Sequence, residues 1–215
     1  MCFHYALISD AIKMGNRFGV MRPKSFEPIP HANAFANPQM PVVTKEEPDL
    51  LNYFNWGLVP SWIKSKKDAN EISKKTGNAR SETVFEKPSF RSAIKSKRCL
   101  IPATGFYEWR HEGKNKIPHF VTTTDQEIFS FAGIYESWTD KATGEILNTF
   151  SILTTEANEL MEYVHNNRKR MPVILSKEDE QYWLSDLKSK DEIEKAIMQY
   201  PTEKMKYEVI SSEEL

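Results

Sequence analysis

Residues 98–138, RCLIPATGFYEWRHEGKNKIPHFVTTTDQEIFSFAGIYESW, constrain the fold more than any other stretch of this chain. Aromatic and β-branched side chains alternate along it, and turn-forming clusters fall at HEGKN and TTDQE. Such residues suit a pleated, half-buried surface, and the turns cut the run into consecutive antiparallel strands. Upstream, Pro23, Pro28, Pro30, Pro38, Pro41 and Pro48 exclude a long helix and leave a surface loop with one strand at MPVV. Further strands are expected in FHYALI, in YFNWGLVPSW before its turn, and in FSILTTEAN, PVIL and MKYEVIS. Helices are expected after Ser9 or Asp10, in SFRSAIKSKR, and in EANELMEYVH, where Leu160, Met161 and Val164 recur at helical spacing. Two more are expected in SKEDEQYWL, with Ser176 as its cap, and in KSKDEIEKAIMQY. SKKDANEISKKTGNARSE reads only as polar and basic. No repeat or linker divides the chain, so the expectation is one α+β domain over 1–215 with an antiparallel-rich core.

The bulk numbers narrow the function classes. Apolar residues make up 40% and charged residues 27%, as in a globular chain with a buried core. No apolar run approaches a membrane span, and MCFHYALISDAIK lacks the apolar stretch of a secretion signal. Cys2 and Cys99, the two cysteines, give neither a metal-ligand spacing nor a disulfide framework. A reducing, cytoplasmic location without metal or cofactor is therefore expected. The net charge of −1 conceals an uneven distribution. Residues 61–100 hold eleven positive against four negative side chains, whereas from 176 onward six lysines face eleven acids. The basic stretch is either a solvated face or a surface for phosphates, with Trp56 and Trp62 nearby to stack on bases.

Four stretches with reactive or polar residues stand out. Cys2 is either a small hydrophobe that starts the first strand or, once Met1 is removed, a free amine and a thiol on one residue. GNARSET places Asn78, Arg80 and Glu82 at period two, which would point all three to one side of an extended segment. PATGFYEW sets Glu108 between Tyr107 and Trp109, where partial desolvation raises a carboxyl pKa and suits a general acid. YVHNNRKRMPVIL puts His165 at a helix end. Each also has a purely structural reading: a turn residue, a salt-bridge partner, a favourable charge at a helix C-terminus.

In combination, MC, WGLVPSW, NARSET, GFYEW and H…RMPVIL resemble the SOS-response-associated peptidase (SRAP) family, in order and over nearly the whole chain. The resemblance implies a single SRAP-like domain with a barrel-like core and peripheral helices. It implies an enzyme that binds single-stranded DNA at abasic sites and crosslinks to them through Cys2. Lyase and autopeptidase activities are further expectations, and the chain is expected to be a monomer associated with the nucleoid. The catalytic set falls on Cys2, Asn78, Glu108 and His165, and DNA contacts on Arg80, Trp62, Thr154, Arg170 and Asn33. Phe3 and His4 stand where relatives carry Gly-Arg, and His165 precedes Arg170 by five residues where two is usual. A thiol autopeptidase and a non-catalytic single-stranded nucleic-acid binder are the competing readings. Single-stranded DNA is expected to bind in preference to duplex, more weakly as salt rises. Trp62→Ala should cost about 1–3 kcal/mol of non-covalent affinity, measured by fluorescence anisotropy.

Overall fold

A computed structural model describes residues 2–21 and 26–211; Met1 and Pro23 lie outside them. In chain order the strands and helices are β1 (His4–Leu7), α1 (Ala11–Phe18), β2 (Ile29–Asn33), β3 (Gln39–Thr44), β4 (Asn52–Trp56), α2 (Lys66–Ser73), β5 (Asn78–Arg80) and α3 (Ala93–Ser96). They continue with β6 (Arg98–Ala103), β7 (Gly105–Glu112), β8 (Asn115–Thr123), β9 (Phe129–Thr139), β10 (Ile146–Glu156), α4 (Glu159–Val164), β11 (Arg170–Pro172) and β12 (Ile174–Leu175). The last are α5 (Lys177–Leu184), α6 (Lys190–Lys195) and β13 (Met205–Val209).

The alternating stretch forms β6 to β9, as its period of two requires. β4, β3, β6, β9 and β10 are hydrogen-bonded in that order, and β10 pairs with both β9 and β4, so the five close into a ring. The closing β4–β10 pair is parallel, in a sheet that is otherwise mostly antiparallel. β11 and β5 add to β10, and β12 adds to β9. A second antiparallel sheet, ordered β13-β8-β7-β1-β2, packs against this barrel. The barrel-like, α+β expectation is met.

Alternation explains why barrel strands are buried on both sides. Cys99, Ile101, Phe131, Phe150 and Ile152 face an inner core that also takes Tyr5 and Phe106 from the second sheet. Leu100, Ala132, Ile134 and Leu153 face outward, where Ile94, Trp183, Leu187 and Ile193 of the helical layer cover them. The second sheet meets the barrel through rings, with Tyr5 edge-on to both Trp56 and Phe131.

Three readings of the sequence change. The proline-rich segment holds two strands, β2 and β3, because Pro30 sits on an edge strand that needs no donor there. In β3, Pro41 lies where pairing is recorded to β4 alone. SKKDANEIS is the helix α2, capped by Ser65; only Ala69 in it is buried, so its apolar face is too thin to read. The extended run through NARSET lasts three residues before Ser81–Thr83 turn into a 3-10 helix, which carries Glu82 out of line with Asn78 and Arg80.

The site's helix is held by one asparagine. Asn158 Oδ1 caps α4 through Met161 N at 2.9 Å, and Nδ2 donates to Tyr200 O at 2.6 Å. Asn158→Ala should therefore cost about 1–3 kcal/mol, from a lost cap and a stranded carbonyl. Thermal denaturation should show a Tm lowered by several degrees.

Candidate active site

Cys2 is fully buried just ahead of β1, and its main chain is fixed by Asn78 on β5, whose Nδ2 donates to Cys2 O at 2.9 Å. Asn78 is buried too, and its Oδ1 has no hydrogen-bond partner among the described residues. The Cys2 thiol makes a long contact of 3.7 Å to His4 O. Burial raises its pKa well above the ordinary thiol range, and the nearby Glu108 carboxyl adds to the effect. At neutral pH this sulfur carries its proton.

Glu108 on β7 and His165 at the C-terminal end of α4 approach each other, with Oε2 and Nε2 3.8 Å apart, and both are buried. Burial pushes Glu108 up to about 7 and pulls His165 down to about 4. The pair is therefore no ordinary ion pair: near neutrality the imidazole is uncharged and the carboxyl is half-protonated. His165 Nδ1 lies 3.0 Å from Arg170 O, and a carbonyl only accepts, so Nδ1 holds the proton. Nε2, facing Glu108, is left as the basic nitrogen. Both side chains line a cleft of about 490 Å³ with Phe3, His4, Trp109, Lys116 and Arg168.

The loop behind His165 shows how its wide spacing to Arg170 is accommodated. Asn166 Oδ1 accepts from His111 N at 3.0 Å, and its Nδ2 donates to His111 O at 2.9 Å. Lys169 adopts φ 47°, which returns the chain into β11. Asn166 was not legible as a site-building residue, although Asn in a turn is its only sequence signal. His4 has Nδ1 2.8 Å from His31 Nε2, and burial together with His31 lowers its pKa to about 4.

The expected DNA contacts divide. Trp62 is exposed, with Nε1 3.4 Å from Pro88 O, and Arg80 is exposed beside a groove that also involves Lys75 and Lys87. Trp56 is buried and donates Nε1 to Gly77 O at 2.8 Å, which removes it as a stacking residue. Arg170 and Thr154, expected at DNA, are buried instead. The Arg170 fork holds Glu82 at 2.5 and 3.0 Å and donates to Thr154 O at 2.7 Å, which braces β10 against the turn after β5. Asn33 spends Oδ1 on Phe35 N at 3.0 Å. Of the basic stretch, Arg98 is wholly buried and bonds carbonyls of Trp183 and Ser185. Among the described residues no cluster of His, Cys, Asp or Glu could hold a metal, and no helix is long and apolar enough to cross a membrane.

An amino-terminal-region cysteine held beside a buried carboxyl–imidazole pair defines a class of site suited to proton-assisted chemistry at one carbon centre. The SOS response associated peptidase (SRAP) profile matches residues 1–213, and this chain belongs to that family. It is 43% identical over 164 residues to the abasic site processing protein YoqW of Bacillus subtilis, covering 75% of this chain and 70% of that one. YoaM of Bacillus subtilis, also called an abasic site processing protein, is 36% identical over 221 residues, 99% of this chain and 92% of its own. A crystal structure of a Bacteroides thetaiotaomicron protein superposes with a TM-score of 0.93 at 46% identity, covering 99% and 93%.

The raised Glu108 pKa has a sign that can be checked. Its folded-state value exceeds the unfolded one, so its stabilising contribution is full below about 4.5 and is lost as pH rises through about 7. His165 is lowered, so its contribution is present above about 6.5 and lost as pH falls through about 4. Glu108→Gln should therefore gain on wild type as pH rises from 4 to 8, by about 3 kcal/mol, in urea denaturation.

Proposed function

We propose that this chain processes abasic sites in single-stranded DNA, capturing the ring-opened sugar covalently on Cys2 after removal of Met1. The observation that carries the reading is what surrounds Cys2: Asn78 fixes its main chain, and the Glu108 carboxyl, paired with His165, is among the charges that raise its thiol pKa. The names of relatives similar over most of the chain point the same way.

The ring-opened sugar is an aldehyde. The α-amine of Cys2 adds its nitrogen to the aldehyde carbon, and loss of one water leaves an imine. The thiol sulfur then adds to the imine carbon while its proton passes to the nitrogen, closing a five-membered thiazolidine. Departure of the water needs a proton donor, and sulfur addition needs an acceptor. Glu108, half-protonated near neutrality, can serve as both. The basic Nε2 of His165 can take and return a proton when the ring reopens. Asn78 Oδ1 is an acceptor for the amine or the sugar hydroxyl. Arg80 and neighbouring lysines would meet phosphates, and Trp62 would stack on a base. Lyase activity is consistent with the imine stage. An autopeptidase would need a thiolate at Cys2, which its burial disfavours.

Met1-processed protein is expected to give a heat-stable crosslink to an abasic oligonucleotide on a denaturing gel, and a variant blocked from processing to give none. Mass spectrometry establishes which form is present. Cys2→Ser should give only a labile imine, trapped by borohydride, and Glu108→Gln should crosslink about 100–10,000-fold more slowly. A stable crosslink from Met1-retaining protein would overturn the mechanism.

A further inference from the structure

Two phenylalanines at the cleft have no part in the chemistry above, although Phe3 also packs against the inner core. Phe3 lines the cleft that holds Glu108 and His165, and Phe35 stacks on it with ring centroids 4.9 Å apart at 27°. Phe35 is 57% exposed, although burying a phenylalanine is ordinarily worth about 1.5–3 kcal/mol. Its backbone is nonetheless fixed. Asn33 Oδ1 accepts from Phe35 N at 3.0 Å, Asn37 N closes the 3-10 turn on Ala34 O at 3.1 Å, and Ala34 N donates to Phe3 O at 2.9 Å. A hydrogen-bonded turn thus presents a flat apolar ring stacked on Phe3, which lines the cleft.

The surroundings select the occupant. Lys116 and Arg168 line the same cleft, so a ligand entering it meets positive charge as well as flat apolar surface. An apolar peptide would find imidazoles and charged side chains along the rest of the lining. A nucleotide supplies both a π-face for the rings and a phosphate for the cations.

We propose that the Phe3–Phe35 pair is a stacking platform for the nucleobase adjoining the abasic nucleotide, setting the register of the sugar over Cys2. This rests on the abasic-site reading. Asn33, expected at DNA, then acts by placing Phe35.

The test separates the two ideas. Affinity is measured on single-stranded oligonucleotides with a central tetrahydrofuran, an abasic analogue that lacks the aldehyde and cannot crosslink. The adjoining nucleotide on either side is an adenine or a second tetrahydrofuran. Wild type should lose about tenfold in affinity when the adenine on one side is removed, and Phe35→Ala should lose no more than twofold from the same change. Phe35→Trp should keep the wild-type response. Equal losses in wild type and Phe35→Ala would overturn the platform. Crosslinking of wild type to a true abasic site, run alongside, reports separately on the function: its absence would sink that reading whatever the affinities.

Discussion

The molecule depends on the pairing of β10. This one eleven-residue strand closes the barrel by bonding β9 and β4, and beyond them it carries β5 and β11. Ile152 is in register with Asn78, and Glu156 with Arg170, the residue whose carbonyl orients His165. The strand that seals the core thus also sets two of the four candidate catalytic side chains. A slip of one residue would reverse every side chain between core and exterior, so the buried Phe150 and Ile152 hold the site in register.

From that frame the electrostatics follow. The second sheet brings Glu108 to the barrel on a strand paired with β1, and α4 brings His165 from the opposite side. Burial acts on both, in opposite directions, because it disfavours whichever form is charged. The result is a carboxyl that titrates near neutrality and an imidazole that stays uncharged there, 3.8 Å apart. Such a pair offers a proton donor and an uncharged nitrogen near neutrality, which two fully ionised partners could not do.

Much of this was legible in the sequence, for identifiable reasons. Strands β6 to β9 follow from alternation, and the caps Asp10 and Ser176 from the side-chain oxygens that helix starts require. Glu108 was legible from its aromatic neighbours. Ring closure was not, because the parallel β4–β10 pair joins segments about ninety residues apart and leaves no local mark. Trp56 and Trp62 look equivalent in the sequence, yet one is a core residue and the other is exposed. Their difference lies in which face each meets, a property of tertiary packing. Arg170 and Thr154 follow the same logic: the resemblance implied DNA contacts there, and both side chains are buried.

The burial of Cys2 has a consequence for the lifetime of the protein. Peroxides and disulfides react with thiolates, and the rate follows thiolate fraction and access. A sulfur that is fully enclosed and keeps its proton is deficient in both. Cellular oxidants act first on exposed thiols, so the same cysteine open to solvent would be oxidised sooner. Enclosure in the core therefore works as chemical storage, keeping Cys2 in its reduced form.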